Sequence, residues 1–437
     1  MEIQREIINT LKTWQNSRRR KPLVLQGARQ VGKSWALKRF GKECFDNVAY
    51  FNFDTMPALK TDFARSKSPA DIIKVLTLTA GTDILPERTL IILDEIQECN
   101  DALNSLKYIC EDAPQYAVAC AGSLLGVALG RSGASFPVGK VDFMMLGPVS
   151  FREYLSAVNG RLSRIYEQLD CAAPVPETVH QQLLEAYKAY LALGGMPEAV
   201  ADYADTQDWQ AAMNIQESIL QSYSLDFSKH ISNKDIPRVF QVWGNLQDQL
   251  ARDDRKFRYA DIQKGARARE YEAAIEWLCL AGIVLKANAV ETPRLPLSAY
   301  AKTSAFKLYM NDVGLLCRKF GLSPQTALLG DRLFTEFKGI LSENYVLQSL
   351  VRQFGTRQFY WVSGNTAEVE FIVQRDNRII PIEVKAADNV KAKSLAQYRQ
   401  KYLPPLSIRL SAKNIRRDGD LLNLPLYLVD RISETVG

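Results

Sequence analysis

Short apolar runs and longer amphipathic stretches alternate along the first 150 residues of the chain. The apolar runs span 23–25, 48–53, 90–93 and 116–120, and each has the length of a buried strand. The stretches between them have the spacing of helices that cover a sheet. This alternation predicts an α/β domain built on a parallel sheet, since a helix between two strands brings the second strand back parallel to the first.

The pattern changes twice further along the chain. From about residue 151 to residue 281 the apolar positions have helical spacing, and one predicted helix ends at Gly194 and Gly195. Near the end of the chain, a predicted helix over 334–354 precedes several strand candidates. These candidates are 358–362, 369–374 and 379–384. The predicted domains are therefore an α/β domain over 1–155, a helical middle domain over 156–325 and an α+β domain over 326–437.

The composition is that of an ordinary globular protein, with 47% hydrophobic and 24% charged residues. The 437 residues carry 55 Lys and Arg against 49 Asp and Glu, so the formal charge is only +6. No apolar segment approaches the roughly 18 residues of a membrane span, and no secretory signal follows the charged start. Seven cysteines without a C-x-x-C pair are typical of a reducing compartment, so we expect a cytoplasmic protein. The two histidines give little material for a zinc site or a histidine-based triad.

A complete phosphate-loop pattern follows the first predicted strand. Residues 27–34 read Gly-Ala-Arg-Gln-Val-Gly-Lys-Ser, which matches G-x-x-x-x-G-K-[ST], and a helical stretch begins at about Trp35. The glycines let backbone N–H groups turn toward an anion, and the following helix N-terminus adds positive charge. In this pattern Lys33 would reach the β- and γ-phosphates of ATP, and Ser34 would bind Mg²⁺.

An acidic strand end supplies the second part of an ATPase site. Residues 89–93 lead into Asp94 and Glu95. Mg²⁺ prefers hard oxygen ligands, and the water that attacks the γ-phosphate must be oriented. We expect Asp94 to hold Mg²⁺ through water and Glu95 to polarise the attacking water. The alternative is a buried strand that ends in a charged turn.

The next predicted strand, 116–120, ends close to Ser123. A polar side chain beside the acidic strand could sense the γ-phosphate, although an ordinary strand-end turn would also explain Ser123. Arg131 and Lys140 follow, and both are candidates for stabilising negative charge in the transition state. For each of them, an exposed and solvated cation is the alternative.

Seven segments in order along the chain resemble the bacterial and archaeal AAA-family ATPases that carry a C-terminal domain of unknown function with a restriction-endonuclease-like fold. The segments are 27–34, 93–97, 121–126, 146–155, 194–200, 307–316 and 381–385. The resemblance implies an AAA ATPase core, with Arg29 and Gln30 in the phosphate loop, Glu95 as the catalytic acid and Ser123 at a sensor position. The nucleotide-binding residues that it implies are Gly27, Ala28, Arg29, Gln30, Val31, Gly32, Lys33, Ser34 and Trp35.

A basic segment lies in the predicted middle domain. Residues 255–269 contain six cations and one acid, a local charge of +5. A helical pattern over 270–280 and strand candidates near 282–286 and 306–310 follow in the order of a winged helix. The cations could bind the phosphates of duplex DNA, although a solvated helix face or a protein-docking module would also explain them. They are Arg255, Lys256, Arg258, Lys264, Arg267 and Arg269.

Three acids and a lysine in the last domain resemble the PD-(D/E)XK nuclease arrangement. Glu343 lies in the predicted helix, Glu370 in one strand candidate, and Glu383 and Lys385 on one face of the next. In such an arrangement the carboxylates hold Mg²⁺ or Mn²⁺ against a scissile phosphate, and the lysine orients or activates water. The alternative is an amphipathic strand with an acid–lysine pair.

These features together predict an AAA-type ATPase in which ATP and Mg²⁺ control a module that binds double-stranded DNA and resembles a nuclease. The predicted catalytic residues are Lys33, Asp94, Glu95, Ser123, Glu383 and Lys385. The predicted metal ligands are Ser34 and Asp94 at the nucleotide, and Glu343, Glu370 and Glu383 for a second Mg²⁺ or Mn²⁺. The rival hypothesis is a nucleotide-gated sensor or scaffold whose inactive nuclease-like domain binds a protein. A homo-oligomer is compatible with either hypothesis.

Overall fold

The computed structural model describes residues 2–122, 139–231, 233–329, 332–364, 367–385 and 393–436. Contacts between residues divide the chain into two units. The N-terminal unit comprises residues 5–147 and 280–282, and the C-terminal unit comprises residues 1–4, 148–279 and 283–437. None of the helices in the described ranges is long and apolar enough to cross a membrane.

The N-terminal unit contains a five-stranded parallel sheet. Its strands are β1 (Leu23–Gln26), β2 (Asn47–Asn52), β3 (Thr89–Asp94), β4 (Ala117–Ala121) and β5 (Asp142–Met145). They lie in the order β2-β3-β4-β1-β5, and each of these pairs is parallel. The helices of this unit are α1 (Ile7–Gln15), α2 (Lys33–Cys44), α3 (Ala58–Arg65), α4 (Pro69–Ala80) and α5 (Asn100–Asp112). The predicted α/β domain with a parallel sheet is confirmed.

Burial in this sheet follows the position of each strand. All six residues of β3 are buried, as expected for an interior strand that is covered on both faces. In the edge strand β5, half-buried and exposed residues alternate. Because the strands are parallel, the carboxyl ends of β1, β3 and β4 lie at one edge of the sheet, where open α/β sheets bind their ligands.

Helix α2 packs closely on the sheet. Its buried residues include Ala36, Leu37, Phe40 and Gly41, which form one helical face. A Cβ added to Gly41 would lie 2.5 Å from Cγ2 of Val48. Glycine at this position therefore lets the helix approach β2 more closely than a larger residue would.

The C-terminal unit combines a mixed sheet with most of the helices. Its helices are α6 (Phe151–Val158), α7 (Gly160–Glu167), α8 (Glu177–Leu193), α9 (Pro197–Thr206), α10 (Trp209–His230), α11 (Ile236–Ala251), α12 (Tyr259–Ile262), α13 (Ala268–Leu280), α14 (Val313–Lys319), α15 (Pro324–Leu329), α16 (Arg332–Phe354), α17 (Lys393–Tyr402) and α18 (Ile432–Thr435). Its strands are β6 (Val284–Val290), β7 (Ala301–Met310), β8 (Gln358–Ser363), β9 (Ala367–Arg375), β10 (Arg378–Lys385), β11 (Ser407–Ser411), β12 (Arg416–Asp418) and β13 (Leu421–Pro425). The strand order is β12-β13-β11-β10-β9-β8-β6-β7.

The two strands expected to form a wing have a wider role. Strands β6 and β7 pair antiparallel to each other, but β6 also pairs in parallel with β8. They therefore form one end of the sheet that the later strands continue, and are not a free-standing hairpin. The helix predicted ahead of them is present as α13, and its buried face contains Tyr271, Ala274, Ile275 and Leu278, as its apolar spacing indicates.

A buried carboxylate links two of the segments on which the family resemblance rests. Helix α8 ends at Leu193, and Gly194 follows with a φ of 71°. The Gly195 N–H donates to Oδ2 of Asp312 over 2.6 Å, and the Leu315 N–H donates to Oδ1 over 2.9 Å. Burial raises the pKa of Asp312 to about 6. The segments 194–200 and 307–316 thus meet in a structural contact of the C-terminal unit.

Candidate functional site

The phosphate loop connects the end of β1 to the start of α2. Gly27, Gln30 and Gly32 have φ values of 152°, 65° and 89°. Backbone of this kind can turn several N–H groups toward one anion, and the N-terminus of a helix adds positive charge at the same place. A Cβ on Gly27 would lie 2.1 Å from the carbonyl oxygen of Leu146, so a side chain at this position has no space.

Lys33 lies inside the loop with only 8% of its surface exposed. Its Nζ donates to the carbonyl oxygen of Gly27 over 2.9 Å and to that of Ala28 over 2.7 Å. Burial lowers the pKa of Lys33 to about 8, while the charges of Glu95 and Asp94 act in the opposite direction. The ammonium group is therefore close to both acids, and its hydrogen bonds reach only loop carbonyls that a phosphate could replace.

The other predicted loop residues differ in their exposure. Ser34 is half-buried in the first turn of α2, and Trp35 and Gln30 are exposed. Arg29 is half-buried, and its charge contributes to the low pKa of Lys33. The buried loop residues are Ala28 and Val31.

The two acids follow β3 at the same edge of the sheet. Asp94 is buried and accepts hydrogen bonds from the Tyr50 hydroxyl over 2.7 Å and from the Glu95 N–H over 3.0 Å. Glu95 has a φ of 50°, and its carboxylate accepts a hydrogen bond from Nε2 of Gln97 over 2.5 Å. Strand β4 separates β3 from β1. The two hydrogen bonds hold the Asp94 carboxylate in a fixed orientation, and its remaining lone pairs can accept a hydrogen bond from a metal-bound water.

Tyr50 is a site residue that the sequence analysis missed. Burial and the hydrogen bond to Asp94 raise the pKa of Tyr50 to about 12, so the hydroxyl stays protonated as a donor. In the parallel register Asn52, two residues later in β2, is level with Asp94. The sequence signal for such a residue is a polar side chain near the end of β2. That signal becomes useful only when the pairing of β2 with the acidic strand β3 is known.

The remaining candidates near this site have different positions. Ser123 and Arg131 lie outside the described residues. Lys140 forms an ion pair with Glu111 over 2.7 Å at the surface. It precedes β5, and therefore lies toward the amino ends of the parallel strands, away from the phosphate loop. Lys140 is thus not placed to stabilise charge at the nucleotide.

A glycine far along the chain contacts the phosphate loop. Residues 280–282 belong to the N-terminal unit, although the residues on both sides of them belong to the other unit. Gly282 has a φ of 72°, and an added Cβ would lie 3.1 Å from the backbone N of Ala28. The sequence gives no sign of this contact, because a glycine after a helix is an ordinary helix stop.

In the C-terminal unit, the structure brings together the three acids and the lysine that resemble a nuclease site. Nζ of Lys385 lies 3.6 Å from Oε1 of Glu370 and 3.7 Å from Oε1 of Glu383. Burial raises the pKa of Glu370 to about 7, Lys385 opposes this rise, and the charges of Glu343 and Glu383 add to it. The four side chains therefore form one electrostatic cluster.

The carboxylates of this cluster are held by cations. Nη1 of Arg255 lies 2.5 Å from Oε1 of Glu343, and Nε of Arg409 lies 3.1 Å from Oε2 of Glu383. Among the described residues, no group of three or more His, Cys, Asp or Glu side chains is arranged to hold a metal ion. Glu343 and Glu383 thus form ion pairs with arginines, and a second Mg²⁺ or Mn²⁺ at Glu343, Glu370 and Glu383 stays a prediction.

The cations of the basic segment occupy half-buried and exposed positions. Arg255 belongs to the ion pair with Glu343, and Arg258 pairs with Asp254 over 2.6 Å. Three cations at the start of α13 are exposed, and we call them the α13 basic patch. They are Lys264, Arg267 and Arg269.

Comparison with known families decides the class of the N-terminal unit. Residues 19–155 match the family model described as an AAA domain. This part of the chain is therefore similar to AAA domains, and it contains the phosphate loop and both acids. Two further regions of the protein match domains of unknown function, residues 184–326 matching DUF8612 and residues 338–427 matching DUF4143. No curated protein matches the chain.

Several solved structures are similar to this chain. A Walker-type ATPase of Pyrococcus abyssi has 17% identity and a TM-score of 0.46, over 73% of this chain and 96% of that one. The Aeropyrum pernix ORC1 protein in complex with DNA has 13% identity and a TM-score of 0.29, over 76% and 93%. The RuvB Holliday junction branch migration motor of Thermotoga maritima has 14% identity and a TM-score of 0.30, over 67% and 90%. Identities and TM-scores this low carry no conclusion about activity.

We expect Gly282→Ala to weaken ATP binding, because the added methyl group would press on the Ala28 amide of the phosphate loop. The matched control is Gly81→Ala in the same unit, since Gly81 has a φ of 66° and no atom lies within 4 Å of an added Cβ. Titration with a fluorescent ATP analogue should show a Kd about three- to tenfold higher for Gly282→Ala than for the control. Equal affinities would show that loop geometry does not depend on this contact.

Proposed function

We propose that this protein binds and hydrolyses ATP at the edge of the parallel sheet where residues 27–34, Asp94 and Glu95 meet. The observation that carries the proposal is the buried ammonium of Lys33 in a complete phosphate loop, within reach of the charges of both acids. The match of residues 19–155 to the AAA-domain family supports it.

Each residue of the site has a role in this proposal. Lys33 binds the β- and γ-phosphates in place of the loop carbonyls. The hydroxyl of Ser34 and the carboxylate of Asp94 are hard oxygen donors that fit Mg²⁺, with Asp94 acting through water. When bound, Mg²⁺ neutralises charge on the β- and γ-phosphates. Glu95 orients the attacking water and accepts its proton.

Ser123 remains our candidate for the residue that senses the γ-phosphate. The support for it is the position of β4, which lies between the acidic strand β3 and the phosphate-loop strand β1. Strand β4 ends at Ala121, at the carboxyl ends of the parallel strands, where open α/β sheets bind their ligands.

We expect Lys33→Ala to lose ATP binding and Glu95→Gln to keep binding while hydrolysis slows by about 10²- to 10⁴-fold, the range for loss of an acid–base group. Steady-state phosphate release and nucleotide titration measure the two effects separately. The control is Glu98→Gln, which alters an acid close by that pairs with Lys60 at the surface. Turnover in Glu95→Gln equal to that in Glu98→Gln would contradict the mechanism.

We further propose that the α13 basic patch binds the phosphate backbone of duplex DNA. The three exposed cations of the patch, Lys264, Arg267 and Arg269, lie within six residues of sequence at and just before the start of α13. Within the described residues no ion pair is found for any of them, in contrast to Arg255 and Arg258. Such cations release condensed counterions when they meet phosphates, which favours binding without sequence readout.

Replacing the three patch residues by glutamine should weaken DNA binding and flatten its salt dependence. Each lost phosphate contact reduces the slope of log K against log salt by about 0.9. The charge-matched control replaces Arg161, Arg416 and Arg417, which are exposed in the same unit. Fluorescence anisotropy with a labelled duplex at several salt concentrations measures both proteins. An equal loss of DNA affinity in the two triple variants would contradict DNA binding by the α13 basic patch. A rate of ATP hydrolysis that does not change when DNA is added would favour a protein partner.

For the nuclease-like cluster we propose a structural role, in a domain that binds its partner and does not cleave DNA. The sequence order supports a restriction-endonuclease-like domain, because α16 carries Glu343 and the antiparallel strands β9 and β10 carry Glu370 and the Glu383-x-Lys385 pair. The ion pairs with Arg255 and Arg409 argue for the inactive form, since a metal ion would have to displace both cations. This is the feature that favours a sensor over a nuclease.

We expect duplex DNA to remain intact when incubated with the protein, ATP and Mg²⁺ or Mn²⁺. Glu383→Ala should instead lower stability by about 3 kcal/mol or more, because it leaves Arg409 without its buried partner. Gel analysis of the DNA and thermal unfolding of the variant are the measurements. Metal-dependent cleavage that disappears in Lys385→Ala would overturn this part of the proposal and establish a nuclease.

A further inference from the structure

Arg5, which precedes α1, is a buried cation of the N-terminal unit with only 6% of its surface exposed. One nitrogen of its guanidinium group, Nη1, donates to the carbonyl oxygen of Val31 over 2.9 Å. The other, Nη2, donates to the carbonyl oxygen of Gly147 over 2.7 Å. The first acceptor belongs to the phosphate loop and the second follows the edge strand β5, so one side chain bridges two segments that are distant in sequence.

The loop needs such a partner for a physical reason. When a loop turns its N–H groups toward a phosphate, its carbonyl groups point elsewhere and must be satisfied by other donors. Lys33 satisfies the carbonyls of Gly27 and Ala28. Val31 is completely buried, so its carbonyl depends on a protein donor, and Arg5 supplies it.

The segment that contains Gly147, the second acceptor of Arg5, also contacts the start of the loop. Gly147 follows Leu146, whose N–H donates to the carbonyl oxygen of Gln26 over 2.8 Å. The carbonyl oxygen of Leu146 occupies the space that a side chain on Gly27 would need. The segment 146–147 therefore packs against the start of the loop, while Arg5 ties that segment to the end of the loop.

We propose that Arg5 is a positioning residue that holds the phosphate loop in its anion-binding conformation. It acts through Val31 and Gly147 and makes no contact with the nucleotide. A guanidinium group suits this role, because its planar fork can donate to two carbonyls in different directions, whereas a lysine ammonium is a single point. The inference rests on the proposed binding of ATP at this loop.

The test compares Arg5→Ala with Arg20→Ala. Arg20 is a matched control, because its Nη2 also donates to main-chain carbonyls of this unit. These are the carbonyls of Pro114 and Gln115, at 3.2 and 3.4 Å. Both residues precede β4, so they lie toward the amino ends of the parallel strands, away from the phosphate loop. Nucleotide titration at 25 °C and thermal unfolding are measured for both variants. We expect Arg5→Ala to raise the Kd of ATP and of ADP together by about tenfold or more, as expected for loss of hydrogen bonds to a charged group. Arg20→Ala should keep the wild-type Kd even where its Tm falls as far.

Chemical rescue separates positioning from general loss of structure. Guanidinium ions at millimolar concentration should restore ATP binding to Arg5→Ala, and should leave the binding defect of Lys33→Ala unchanged. If Arg5→Ala does not fold, Arg5→Lys takes its place, and it should show the same joint loss of ATP and ADP affinity.

The outcomes distinguish this inference from the function on which it rests. Wild-type affinity in Arg5→Ala or Arg5→Lys, or rescue that is equal in both alanine variants, would overturn the positioning role alone. Wild-type protein that binds no ATP in the same titration would overturn the proposed function and this inference with it.

Discussion

A buried ammonium group at the start of α2 is the interaction on which the N-terminal unit depends. Removing an unpaired charge from water costs several kcal/mol, so Lys33 can be buried only where acceptors and opposite charges surround it. The loop supplies two carbonyls, and the end of β3 supplies the charges of Asp94 and Glu95. The loop and the acids belong to strands that are not neighbours, and they come close because the sheet is parallel and both strands end at one edge.

Local patterns in the sequence predict much of this arrangement. The apolar runs correspond to β1 to β4. The phosphate loop follows the carboxyl end of β1, and Asp94 and Glu95 lie at the carboxyl end of β3, as their sequence context predicts. What the sequence could not predict are contacts that no local pattern encodes. Tyr50 reaches the site from a neighbouring strand and Arg5 from a segment ahead of α1, while Gly282 lies in a turn 248 residues after the end of the loop at Ser34 (282 − 34). Each has an ordinary sequence context, and only the tertiary fold gives it a partner.

In the C-terminal unit, the sequence predicts which side chains form the cluster but not the residues that pair with them. Glu343, Glu370, Glu383 and Lys385 do come together, but no pattern in the sequence indicates the two arginines that pair with these carboxylates. Arg255 belongs to a basic segment in the sequence, and charge along a sequence does not reveal which side chain turns toward a buried carboxylate. Arg409 belongs to β11, which pairs with β10 and places the arginine opposite Glu383. Strand pairing, more than motif spacing, therefore determines whether these carboxylates are available to a metal.

The low pKa of Lys33 links nucleotide binding to the solution around it. Burial holds the pKa of Lys33 at about 8, below that of an exposed lysine. A triphosphate beside the nitrogen favours the charged form and raises its pKa, so binding in mildly alkaline solution is accompanied by proton uptake. Phosphate binding at this loop would then weaken as the pH rises above this range, since a growing share of binding events needs proton uptake from the solvent. The phosphate loop is in this sense a proton acceptor as well as an anion site.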